Sequence, residues 1–80
     1  MSTQAALRRD LRLLLGTFPD PATSYADRAA WFDRKADLLD RLAVHTVSVN
    51  RAEIRELAER ARLEARRLLV CDRLERGGRR

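Results

Sequence analysis

Outside the short run VHTVSV, residues 44–49, no stretch of this chain carries the clustered β-branched residues that a strand requires. Only three glycines and two prolines interrupt the rest. A chain with so few breakers and so little strand-forming sequence has helices as its only regular structure. Eighty residues suffice for one small domain and no second core. Hydrophobic residues at 45% and charged residues at 36% describe helices with one packed and one solvated face. The fold class expected is all-α: a three-helix domain, with a short helix 1 packed on a long antiparallel helical hairpin of helices 2 and 3.

Punctuation places the three helices. The first is expected from about Gln4 to Leu15, capped by Thr3 or Ser2, with Leu7, Leu11, Leu14 and Leu15 as its apolar row. Gly16 follows where a left-handed C-cap residue would sit. The segment TFPDPA then forbids continuation, and Phe18 is expected to tuck against the core. A second helix begins near Ser24, with Asp27 completing a capping box, and runs to about His45. Its apolar residues are Tyr25, Ala29, Trp31, Phe32, Ala36, Leu38, Leu39, Leu42 and Ala43, a face wide enough for two neighbours. The third helix is expected over 51–76, with Asn50 as N-cap, Glu53 in a capping box, and Val49 stapled to Ile54. Its packing stripe reads Ile54, Leu57, Ala61, Ala65 and Leu68. Residues 1–76 would form the domain and 77–80 (GGRR) a flexible basic tail.

The net charge of +5 rests on sixteen arginines and a single lysine. GC-rich codon usage produces such a ratio, and so does selection for guanidinium forks that grip phosphate. On the third helix Arg51, Arg55, Arg62, Arg66 and Arg73 fall within an arc of about 60°, a stripe roughly 33 Å long. Such a stripe can follow a nucleic-acid backbone or meet an acidic partner, although Glu59 neutralises part of it. The stretch LAVHTVSVNRAEI resembles the approach to a helix-turn-helix recognition helix, with Ala43 as the small residue and VNRAEI as the start. It departs from that pattern in spacing, one residue too long, and in Ser48, where a turn glycine is usual. A DNA-binding transcriptional regulator using this arginine-striped helix is therefore the alternative reading.

A different face of the same helix carries Leu63, Val70 and Leu74, at spacings of seven and four. They cannot share the packing stripe, and aligned apolar residues away from the core mark a second interface. Glu56, Glu59, Arg60 and Arg67 would rim it in the manner of a coiled coil. The leading expectation is a small helical protein–protein interaction module, self-associating or engaging a partner helix, that acts as an adaptor or regulator.

Catalytic chemistry finds little support. His45 and Cys71 belong to opposite ends of the expected hairpin and cannot form a nucleophile–base pair within one chain. Asp33, Asp37 and Asp40 share a face of the second helix without a histidine at metal-ligand spacing, and Asp37 can pair with Arg41. No glycine-rich phosphate loop, CxxC or HExxH occurs. We expect no enzyme activity, no cofactor or metal, and no small-molecule substrate. A lone cysteine and an opening segment interrupted by Arg8, Arg9, Asp10 and Arg12 lead us to expect a cytoplasmic protein without a signal peptide or membrane span.

Overall fold

A computed structural model describes residues 3–46 and 50–77. The elements are α1 (Thr3–Leu15), α2 (Tyr25–His45) and α3 (Asn50–Gly77). Ser2, Val49 and residues 78–80 lie outside the described residues, so the alternative cap of α1, the staple of α3 and most of the basic tail do too. Gly77, read from sequence as the start of that tail, instead closes α3.

Local chemistry explains where the helices stop and start. At the end of α1 the amide of Gly16 donates to the Arg12 carbonyl at 3.0 Å, one more helical bond, and Thr17 donates to Leu14 at 3.0 Å. The helix thus tightens into its last turn. Gly16 is not in the left-handed conformation expected of it, and a Cβ there would make only ordinary contacts of 3.5 Å and 3.6 Å. Two side chains finish the job that a left-handed cap would have done. Thr17 Oγ1 donates to the Leu14 carbonyl at 2.9 Å, and so does the buried indole Nε1 of Trp31 at 3.1 Å. Ser24 caps α2 as read, its Oγ accepting from the Asp27 amide at 3.1 Å.

The wide apolar face of α2 resolves into two rows. Tyr25, Ala29, Phe32, Ala36, Leu39, Ala43 and Thr46 recur at alternating spacings of four and three and face α3. Trp31, Leu38 and Leu42 face α1, where Leu7 and Leu14 complete the cluster. Each neighbour therefore has its own row. Leu11 and Ile54, half buried, pack against both layers.

The α2–α3 seam consists mainly of alanine. Ala36 and Leu39 pack on Ala58 and Ala61, while Ala29 packs on Ala65 and Leu68, which makes the two helices antiparallel. One methyl per residue gains little by transfer from water, but small side chains let backbones close in and gain dispersion contacts along the whole seam. Helical spacing suggests Leu57 for this seam; it is 47% exposed, and Ala58 at 0% takes the position. The 4–3–4–3 series from Ile54 runs through Ala58, Ala61, Ala65 and Leu68, leaving Leu57 about 60° to the side. That side remains open because α1 lies against α2 and its backbone makes no contact with α3.

An elongated body results, 53 × 22 × 15 Å, with a radius of gyration of 14.8 Å. A compact domain of this length would have about 12 Å. With its 28 residues, α3 is about 42 Å long and outruns the 21-residue α2. Most of its circumference therefore has no neighbour among the described residues.

Candidate interaction surface

The seam with α2 determines which way the rest of α3 points. Leu63, Val70 and Leu74 lie about 180° around the helix from Ala61 and Ala65. Their exposures are 55%, 44% and 71%. The aligned row expected from sequence thus faces fully outward. Glu56, Arg60 and Arg67, expected as its rim, stand within it: the outward line reads Glu56, Arg60, Leu63, Arg67, Val70, Leu74 at spacings of four, three, four, three and four. Local acids hold both arginines. Arg60 bonds Glu56 at 2.9 Å, and Arg67 makes a forked contact with Glu64, its Nε at 3.0 Å. The Arg67 fork holds the Glu64 carboxyl below its usual range, against a weaker opposing effect of burial.

Beside this row runs the arginine stripe, and its members have different occupations. Arg51 donates from Nε to the carbonyl of Thr46 at 3.1 Å, binding the start of α3 to the end of α2. Arg62 crosses to Asp40 on α2 and also lies 3.9 Å from Glu59. The hydrogen bond from Arg62 to Asp40 raises its affinity for its proton further above the ordinary value. Arg66 reaches Glu59 at 3.4 Å. Arg51, Arg55 and Arg73 of the stripe have no ion pair among the described residues, and of these Arg51 is held by its bond to Thr46. Sequence reasoning had Glu59 as the neutralising acid and missed Asp40, because a pair 22 residues apart has no local signature.

Two of the three acids on the acidic face of α2 are spent in the same way. Asp40 holds Arg62, and Asp37 holds Arg41 at 3.1 Å. Among the described residues no group of three or more histidine, cysteine or acidic side chains is placed to hold a metal. His45 ends α2, whereas Cys71 lies beyond Leu68, which packs at Ala29 near the other end. The 16 residues from Ala29 to His45 span about 24 Å, so imidazole and thiol stay apart. Thr46, which sequence reasoning passed over, is buried at the end of the seam and donates from Oγ1 to Leu42 at 2.7 Å. Its place three residues after Ala43 was the available signal.

Two further features compete for attention. Phe18 stays 62% exposed, so it does not tuck into the core as expected. Its ring instead stands edge-on to Trp31 at 4.7 Å and to Phe32 at 6.2 Å, since the short turn after Gly16 stops it over the aromatic pair. A cleft of about 290 Å³ between the α1–α2 connection and the end of α3 includes Tyr25, Arg28, Asp72 and Glu75. Arg28 lies over the Tyr25 ring at 5.1 Å, and Asp72 pairs with Arg76 at 3.2 Å. The cleft mixes charges without converging them on one point.

No helix among the described residues is long and apolar enough to cross a membrane. No family model, curated protein sequence or solved structure matches this chain. Its surface is the only guide to its role.

Proposed function

We propose that this protein is a helical protein–protein interaction module, an adaptor or regulator whose contact surface is the outward face of α3. The observation that carries the reading is the exposed row Leu63, Val70 and Leu74, opposite the alanine seam on a helix that has a neighbour on one side only. A helix this long, braced on one side and apolar on the other, offers a partner helix a preformed surface with little ordering cost. The DNA-reading alternative draws less support. Arg51 and Arg62 are committed to contacts with Thr46 and Asp40, and α2 and α3 run side by side rather than crossing as a recognition unit does.

The test compares proteins that co-purify with the tagged wild type and with Leu63→Glu/Val70→Glu in cells that normally express it. A set of partners lost with this change and retained with Arg55→Ala/Arg73→Ala is the expected result. An identical set with both variants overturns the reading, and duplex DNA lost only with the arginine change would replace it. Unchanged helicity by circular dichroism establishes that the outward substitutions leave the fold intact.

A further inference from the structure

We infer that the occupant of the outward α3 face is an amphipathic helix of another protein, one that carries carboxylates seven residues apart beside its apolar row. The inference rests on the interaction-module reading and deepens it. Its basis is the position of Arg60 and Arg67 within the contact line, alternating with Leu63, Val70 and Leu74. A helix laid along that line covers both guanidinium groups. They lie about 10.5 Å apart along the axis, two turns of a partner helix. Glu56 and Glu64 engage each arginine from its own helix, yet a guanidinium has five donors and can fork to a second carboxylate.

A second copy of this chain does not meet that requirement in the parallel in-register alignment or in the two antiparallel ones that set Leu63 against Leu74 or Val70. Side by side and parallel, each copy sets Arg60 against Arg60 and Arg67 against Arg67. Antiparallel with Leu63 opposite Leu74, Arg67 lands on Val70 of the other copy, a charge pressed against an apolar group. Antiparallel with Leu63 opposite Val70, Arg66 and Arg67 of the two copies confront each other across the two-fold axis. Like charges in a contact line select against a partner. Arg73, unpaired among the described residues and flanking the same row, adds to the cationic bias. Of the two arrangements expected from sequence, self-association or a partner helix, the first is thus disfavoured in each of these three alignments.

The test uses the full chain and two labelled synthetic helices of about three heptads. Both carry leucine along one face; one flanks it with glutamate and the other with lysine. Fluorescence anisotropy reports binding, and light scattering reports the mass of the chain alone. We expect a monomer that binds the glutamate peptide at least about tenfold more tightly than the lysine peptide, as two charge-assisted contacts would give. Arg60→Gln/Arg67→Gln should erase that preference, and Leu63→Ser/Val70→Ser should abolish binding. Equal binding of both peptides through Leu63 and Val70 overturns the acidic-partner inference and leaves the module reading standing. A salt-resistant dimer overturns it also, in favour of a second copy. Binding of neither peptide, or binding indifferent to Leu63→Ser/Val70→Ser, removes the outward face as an interface and both readings fall.

Discussion

Towards α2, α3 presents alanines; towards solvent it presents two leucines and a valine, the reverse of the order that size alone would impose. Ala58, Ala61 and Ala65 are almost wholly covered, whereas Leu63, Val70 and Leu74 stand out from the surface. The difference lies in what each face meets. Methyl groups at 4–3 spacing meet Ala29 and Ala36 on α2, with Phe32 and Leu39 alongside, so the helices pack closely there. The outward row has nothing to match among the described residues. Burial follows fit to a neighbour, and a large apolar residue without a neighbour is an open contact.

The comparison can be broken at its ends. Leu68→Ala, at the well-covered end of the seam, should cost about 2–5 kcal/mol in urea unfolding, against no more than about 0.5 kcal/mol for Leu74→Ala two turns away. Equal losses would mean that Leu74 is buried in the isolated chain and that the outward face is part of the core. Overfilling the seam is the next test. Ala61→Leu adds volume within the buried alanine seam and should destabilise by about 1–3 kcal/mol, although leucine is the larger hydrophobe. A stabilised variant would show that the seam has slack and that alanine there is incidental.

The smallest effect concerns the boundary between the two faces. Glu64, held below its ordinary value of 4.5 by the Arg67 fork, supports α3 while it is ionised. A carboxyl whose folded value is depressed contributes its full stability above the ordinary value and loses it as pH falls through the lower folded one. Thermal melts of Glu64→Gln should therefore fall slightly below the wild type at neutral pH and converge with it in acid. A gap that persists at low pH would assign the effect to packing instead.

Much of this was legible beforehand. The three helices, the Ser24 cap and the double-sided character of α2 follow from spacing and cap chemistry that act within a few residues. The outward row was legible for the same reason: seven and four are helical spacings whatever the surroundings. Leu57, Gly16 and Arg62 were not. Leu57 falls in the seam by helical spacing from Ile54, and only the position of α1 leaves its flank bare. Gly16 was read as a left-handed cap because nothing local reveals that Thr17 and Trp31 will take the Leu14 carbonyl. Arg62 was grouped with its stripe until Asp40, on another helix, claimed it.

By itself the sequence determined that this chain is helical, where its helices begin and end to within a residue or two, and that α3 has two unlike apolar faces. Those properties arise from periodicity and backbone hydrogen bonding, which are local. Tertiary structure alone decided which face is core, and that Arg62 is spent on Asp40 within the molecule. These depend on the path of α2, because a neighbouring helix at close range, and not the residue's own character, selects which side chains lose contact with water.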